Sequence, residues 1–519
     1  NVVETAADGS FTLPGHERER FIFITTPSGY KTFNRHYHKI EKKQSGYDFG
    51  LIPYSGRIRK DGSHRYIHIT DTEIFNTENH ADWVNNVRDY ARNEQAAFII
   101  HTGDICYEKG LKAHIKLMNT ENMDCPVFYC IGNHDLVKGK YGEELFESIY
   151  GPVYYSFDAG NVHYVVTPMP GGDHAPGYTS DDVCRWLKND LAHIRPGTPV
   201  VVFNHDLLTY EDTFIFKSKN AGSINLNEYN LKAWVYGHWH INYMKKQGDV
   251  YSVCTSSLDK GGIDHSTTAF RVMHVDSKGD FTSELRYTYL DKNICIASPA
   301  GVMASGVLPV AVNVYSSVSP VREVLYTCLA DGKPVLKNKR LLQSTDWSWN
   351  GELPLSHKYV GKELTLRVTA RFNNGEIAEA ESNFICRTEK AVPLFSADWD
   401  NLSGNAKHSA PVSAPLNLPL QLAWTNNVGA NLYMTSPLIH KGKVIVASVD
   451  EDLKGAGHVY ALNGKDGTIL WSCPVRNSIK NSIAVDSGIV FAQDAQGFLY
   501  AIDTETGKLC WEKQLPVNG

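Results

Sequence analysis

Five short apolar runs, at 66–69, 98–100, 127–131, 200–203 and 234–236, punctuate the middle of the chain, and each is followed within a few residues by a polar cluster. The runs are rich in β-branched and aromatic residues, the pattern of strands buried on both faces. Between them, 81–93 and 180–193 repeat their apolar residues at helical spacing. Strands alternating with helices predict an α/β domain over 61–292. Its last part, 250–289, returns to strand-like alternation, so the sheet system is expected to finish on antiparallel strands.

Both flanks read as β structure. Residues 1–60 carry runs such as Phe21-Ile22-Phe23-Ile24 with turn signals at Asp8-Gly9 and Pro27-Ser28-Gly29, which predicts a small β domain. Over 293–390, apolar runs at 310–315, 323–328 and 364–372 are separated by turns, and a β-sandwich is the economical reading. The remainder, 391–519, opens with evenly spaced Pro411, Pro415 and Pro419, a linker or leading arm. It then repeats itself: Gly457-His458-Val459-Tyr460-Ala461-Leu462-Asn463, followed by Asp466-Gly467 and Trp471, matches Gly497-Phe498-Leu499-Tyr500-Ala501-Ile502-Asp503, followed by Thr506-Gly507 and Trp511. The two tryptophans lie 40 residues apart, the length of one propeller blade. This segment resembles the tryptophan-docking repeat of quinoprotein-like propellers. Two blades do not close a ring, so continuation past Gly519 is expected, an incomplete sheet being the alternative. Blade packing accounts for both tryptophans, and no calcium or quinone constellation accompanies them.

Composition narrows the function classes. A chain of 519 residues exceeds one core, and 42% apolar with 21% charged residues is ordinary for globular protein. The formal net charge of -6 gives no nucleic-acid footprint. No apolar run approaches a membrane span. The chain opens on Asn1, so a processed or trimmed start is expected. Ten cysteines give no small-domain disulfide framework, and Cys106, Cys125, Cys130 and Cys254, on or beside predicted strands, read as buried thiols. Cys328 and Cys386, with Trp347 and Trp349 between them, resemble an immunoglobulin-type inter-sheet pair, which leaves a bond or two free thiols as alternatives.

The polar clusters carry the candidate chemistry. They are Asp71-Thr72-Glu73, Gly103-Asp104, Gly132-Asn133-His134-Asp135, His205 and Gly237-His238-Trp239-His240. Loops after buried strands are where an α/β sheet presents its chemistry. Hydrolysing a phosphate ester near neutral pH needs a nucleophile stronger than water and a sink for charge on the phosphoryl oxygens, and two neighbouring cations supply both. A carboxylate can bridge such cations, Asn adds a neutral oxygen, and His nitrogens suit transition metals.

The Gly-Asn-His-Asp and Gly-His-Trp-His motifs, in this order and each after a strand, resemble those of the calcineurin-like metallophosphoesterases over about 64–290. The resemblance implies a central metallophosphoesterase α/β sandwich, here flanked by β domains and an incomplete β-propeller segment. It implies hydrolysis of phosphomonoesters or phosphodiesters by a hydroxide bridging two divalent or mixed-valence transition metal ions, Mn, Fe or Zn. Carried over by position, Asp71 and His240 hold the first metal, Asp104 bridges both, and Asn133, His205 and His238 hold the second. His134 sits by the leaving oxygen as general acid or charge stabiliser, with Asp135 fixing its orientation. Accessory β domains of this kind resemble those of bacterial exported proteins, which points to the periplasm or cell surface.

One position departs from the family. Where a His is usual, this chain has Glu73. It can ligate directly, making the first site harder and more negative, bind through a water, or point away. Gly103-Asp104-Ile105-Cys106-Tyr107 and Val202-Phe203-Asn204-His205 also resemble motifs of purple acid phosphatases, which have Gly at the position of Glu73 and bind ferric iron through the Tyr. Tyr107 is thus a candidate ligand or, alternatively, a residue packed at the start of the next helix. Gly171-Gly172-Asp173-His174 and Gly261-Gly262-Ile263-Asp264-His265-Ser266 are Gly-rich rim candidates, with His265 a substrate contact and His174 solvated. The competing reading of the whole chain is a binding or scaffold protein whose phosphoesterase domain has lost activity through Glu73. The motifs do not distinguish substrate or oligomeric state.

Overall fold

A computed structural model describes residues 1–15, 18–42, 44–388, 397–409 and 422–516. The chain divides into two compact units, Asn1–Tyr289 and Leu290–Gly519. The proposed linker with Pro411, Pro415 and Pro419 lies outside the described residues.

The first unit is built on two open sheets. One has five strands in the order Phe281–Tyr287, Ala269–Val275, His64–Ile69, Phe98–His101, Val127–Tyr129. The last three run parallel, and the first two close the sheet antiparallel, as the alternation over 250–289 predicts. The other sheet has six strands in the order Tyr243–Gln247, Val250–Cys254, Leu231–Tyr236, Val200–Phe203, Val162–Val166, Tyr155–Ala159, parallel in its middle and antiparallel at both edges.

Alternate positions of the central strands serve two interfaces. Tyr66 and Phe98 stack with centroids 4.8 Å apart and meet Phe203 and Phe157 of the other sheet at 5.7 and 5.0 Å, so the inter-sheet layer is aromatic. Ile67, Ile69 and Ile99 point the other way, onto Trp83, Val87 and Tyr90 of the helix Ala81–Asn93. On the far side, Cys184, Trp186, Leu187 and Leu191 of the helix Ser180–Ala192 cover Val165, Val200, Val202 and Trp234. That helix starts where Thr179 accepts the Asp182 N–H and the Asp182 carboxylate accepts the Thr179 N–H, a reciprocal cap. The result is a four-layer helix, sheet, sheet, helix arrangement with covered strands, which is why the runs read as apolar on both faces.

The N-terminal segment forms two ribbons, Phe21–Phe23 with Tyr37–Lys39 and Tyr30–Thr32 with Leu51–Pro53. Thr26 bridges to Phe157, so this segment covers the edge strand of the six-stranded sheet. Arg20 reaches Glu143 and Glu147 at 2.5 and 2.6 Å.

In the second unit, 293–388 forms two facing sheets, of four and five strands, around one core that includes Val312, Trp349, Leu353, Val324, Leu366 and Phe384. Cys328 and Cys386 are both free thiols. The inter-sheet bond is ruled out by strand order: Cys328 on Val321–Ala330 and Cys386 on Ile377–Arg387 share one sheet with Glu363–Phe372 between them. Two strand spacings, roughly 10 Å, exceed disulfide reach.

The repeats form two four-stranded antiparallel meanders, Leu438–His440 to Ile469–Pro474 and Ala484–Asp486 to Leu509–Gln514. Their shared docking rule explains the repeated glycines. Trp471 donates its indole N–H to Thr504 O at 3.0 Å, and a Cβ on Gly507 would lie 2.6 Å from its ring. Trp424 does the same with Gly464 O at 2.9 Å and Gly467. Among the described residues, no helix is long and apolar enough to cross a membrane.

Candidate metal centre

The five polar clusters all follow the C-terminal ends of strands of the first unit. Asp71 follows His64–Ile69, Asp104 follows Phe98–His101, a 3-10 turn over Asn133–Asp135 follows Val127–Tyr129, His205 follows Val200–Phe203, and His238 and His240 follow Leu231–Tyr236. Because these strands are parallel within each sheet, their ends lie together.

Asp71 is fully buried, and its Oδ2 accepts the Thr70 hydroxyl at 2.8 Å and the His238 N–H at 3.0 Å. A Cβ on Gly237 would stand 2.5 Å from that oxygen, so the motif glycine is what lets the His238 loop approach. Asp71 Oδ1 makes no well-formed hydrogen bond, with His240 Nε2 3.2 Å and His205 Nε2 3.9 Å away. Asp104, 2% exposed, accepts the His134 N–H on Oδ1 at 3.0 Å and places Oδ2 3.1 Å from His205 Nε2. Asp104, His205 and His238 each offer one ligand atom within 4.8 Å of the others.

The donor set fits a cation. His205 Nδ1 lies 2.7 Å from Thr102 O, which makes Nδ1 the donor and turns the Nε2 lone pair toward Asp104 in the neutral ring. Asp71 Oδ1, Asn133 Oδ1 and His205 Nε2 are all shut off from solvent without a hydrogen-bond partner. Three such atoms in neighbouring loops are costly unless something positive satisfies them. Burial opposes the charge on His205, but Asp104 and Asp71 outweigh it and raise its pKa to about 9. The Asp71 carboxylate, 3.2 Å from its ring nitrogen, foremost raises that of His240.

Glu73 does not point away. Its Oε1 is 3.5 Å from His240 Nε2, while Oε2 pairs with Lys260 Nζ at 2.6 Å, and the same ammonium donates to the Glu73 carbonyl at 3.2 Å. Asp71, Glu73, Asp104, His238 and His240 all hold left-handed backbone, with φ of 50, 44, 56, 64 and 50°.

The contact expected between Asp135 and the His134 ring is replaced by another. The Asp135 carboxylate lies beneath the loops and accepts the backbone N–H groups of Gly132, Asp104 and Cys106, each at 2.9 Å. Burial first, then the Asp104 charge, push its pKa up to about 7. The His134 ring instead places Nδ1 2.9 Å from Asp173 Oδ2. Burial disfavours its charge, yet the Asp173 hydrogen bond and the Asp104, Asp173 and Glu73 charges raise its pKa. The loop bearing Asp173 fits tightly: Asp173 donates its N–H to Asn133 O at 3.1 Å, and a Cβ on Gly172 would sit 2.3 Å from that oxygen. Sequence reasoning named Asp173 only as part of a rim segment, without its contact to His134, and gave Lys260 no role. The signal for Asp173 was the Gly-rich rim segment that contains it, in which Gly172 marks a close approach to Asn133.

Tyr107 begins the helix Tyr107–Leu117, is 46% exposed, and has its ring 5.5 Å from that of His134. His265 is exposed, on a loop held to the centre by the Ile263 N–H bonding to His240 O at 2.9 Å. His174 is exposed.

Comparison with known proteins gives two family matches. The family model for calcineurin-like phosphoesterases matches residues 64–242, and that described as outer membrane protein assembly factor BamB matches 421–518. Purple acid phosphatase 13 of Arabidopsis thaliana is 26% identical over 215 residues, 39% of this chain and 36% of that protein. The match thus spans about a third of that relative's length. Among solved structures, a predicted phosphoesterase from Streptococcus pneumoniae is 13% identical, covering 44% of this chain and 98% of its own, with a TM-score of 0.21. BamB from Moraxella catarrhalis is 12% identical, covering 47% and 55%, with a TM-score of 0.13. TM-scores of this size carry no weight here. Residues 64–242 form a calcineurin-like phosphoesterase domain, and 421–518 form a BamB-like repeat region.

Proposed function

We propose that the first unit is a dinuclear-metal phosphoesterase acting on phosphomonoesters or phosphodiesters. The observation that carries this reading is the set of buried, unpartnered ligand atoms on Asp71, Asn133 and His205, gathered at the strand ends. Asp71, Glu73 and His240 would hold one ion, Asn133, His205 and His238 the other, with Asp104 shared. Two transition-metal ions there, Mn, Fe or Zn, would supply Lewis acidity toward the phosphoryl oxygens and a water acidic enough to ionise near neutral pH. Glu73, a hard carboxylate already turned toward His240, favours Mn or Fe over Zn at the first site.

The chain's own residues supply the rest. His134, held by Asp173, carries a proton to the departing alkoxide or phenolate oxygen. Asp135 ties the Asp104 and Asn133 loops together, and its contribution is to hold the ligands at fixed separation. His265, exposed on the loop bound to His240, would touch substrate. The BamB-like repeats support a periplasmic or cell-surface setting, which fractionation of the producing cell tests directly.

The test of the enzyme reading is a panel of bis-p-nitrophenyl phosphate and p-nitrophenyl phosphate with Mn, Fe, Zn, Ni and Mg, on wild type, Asp104→Asn and Glu73→His. Turnover with at least one metal, lost in Asp104→Asn, is expected. A rate indifferent to Asp104→Asn with every metal overturns it and leaves the scaffold reading. Metal content and rate unchanged by Glu73→His would remove Glu73 from the ligand set.

A further inference from the structure

Large apolar side chains are seldom left in water one beside another, and a cluster of them around a polar centre marks a binding surface. Four of the exposed ones in the first unit lie a few residues from a proposed ligand in sequence or are bonded to one. Phe75, two residues beyond Glu73, is 58% exposed, and Tyr107, three beyond Asp104, is 46% exposed with its ring against that of His134. Tyr210, on the segment after His205, is 55% exposed and stacks on Trp239, the residue between His238 and His240, at 5.9 Å. Ile263, 75% exposed, is bonded through its N–H to His240 O.

Outside the proposed ions, the charged side chains among them add no net attraction for a polyanion. Glu73 and Asp173 present carboxylates beside the centre, and Lys260, the ammonium against Glu73, is engaged by that carboxylate. A nucleoside polyphosphate would bring further negative charge against these groups, and a sugar phosphate would leave the apolar side chains wet.

We infer that the rim selects phosphate esters whose alcohol is apolar, an aryl or long-chain alkyl group, which rests on the phosphoesterase reading above. The alcohol packs against Tyr107, Phe75, Ile263 and Tyr210, while a single phosphoryl group sits at the ligand cluster. Burying such a group removes apolar area from water on both partners and strengthens binding by roughly tenfold or more.

Diesters that share p-nitrophenol as leaving group separate this recognition from leaving-group chemistry. With the second alcohol methyl, phenyl, octyl, glyceryl or the thymidine 5′-hydroxyl, the full-length Mn-loaded protein should favour phenyl or octyl over methyl by about tenfold in kcat/KM, chiefly through KM. The phenyl and octyl arms tell aryl from alkyl recognition. Phe75→Ser and Ile263→Ser, at exposed positions, should cut the phenyl-to-methyl ratio at least about threefold. Calorimetric binding of phenylphosphonate against methylphosphonate gives the same ratio without turnover. Equal ratios in both measurements, or a preference for the glyceryl or thymidine ester, overturn the inference. Aryl-selective phosphonate binding without Asp104-dependent turnover would keep the rim and sink the hydrolase.

Discussion

Replacing Asp173 with Asn keeps the shape of the loop and removes one charge from the His134 ring. The pair is 2.9 Å long, but its side chains are 35% and 38% exposed, so solvent screens it. Its worth is therefore about 1 kcal/mol rather than the several of a buried pair. That energy matters only when His134 must hold a proton against a basic leaving oxygen, and 1 kcal/mol corresponds to about fivefold in rate. Asp173→Asn should slow esters of weakly acidic phenols about five- to tenfold and p-nitrophenyl esters less than about twofold. The assay is kcat across aryl phosphates graded by phenol acidity, with metal content measured on the same samples. Equal slowing of every ester, or slowing that tracks lost metal, refutes the reasoning and returns Asp173 to a loop-anchoring role.

Other substitutions probe other links. Gly172→Ala, whose Cβ would stand 2.3 Å from Asn133 O, should push the loop away and lower turnover at least about tenfold, more than Asp173→Asn does; a crystal structure with an unmoved loop would contradict this. His163 lies between Asp158 and Asp190 at 2.8 and 2.9 Å, and although burial opposes its charge, these carboxylates raise its pKa to about 9. A raised folded-state pKa gives stability that is full below about pH 6.5 and lost as pH rises through about 9. Thermal midpoints of the wild type should fall over that window by a few degrees, and His163→Gln should flatten the dependence. Trp471→Ala removes a docked indole and should cost about 3 kcal/mol, read as an earlier unfolding transition of the second unit with the metal content unaltered.

Much of the α/β core was legible because strands covered on both faces leave uninterrupted apolar runs, and the ligand loops follow those runs directly. Tyr66 and Phe98 show the limit: their runs mark strands, but only the fold reveals that the aromatics face a second sheet. Asp173 lies 39 residues from His134 and Lys260 lies 187 from Glu73, both on loops without periodicity, so nothing local announces either contact. Cys328 and Cys386 stayed open because spacing along the chain says nothing of strand order, and one intervening strand decides for two free thiols. Trp424 escaped the repeat because, among the described residues, no strand carries it, although it docks on Gly467 as Trp471 does on Gly507.

The left-handed backbone at Asp71, Glu73, Asp104, His238 and His240 would make the proposed metal uptake a partial folding event. Each such residue costs about 1 kcal/mol of backbone strain. Ions that engage these side chains clamp the strained conformers, so intrinsic affinity is partly spent on ordering the loops. Amide hydrogen exchange in the five loops would therefore be coupled to metal concentration, while exchange in the strands beneath them would be set by the global stability of the unit. At position 73 the linkage has a chemical side as well: Gly there would relax the backbone and give up a carboxylate, so the chain trades local ease for one more anionic group beside His240.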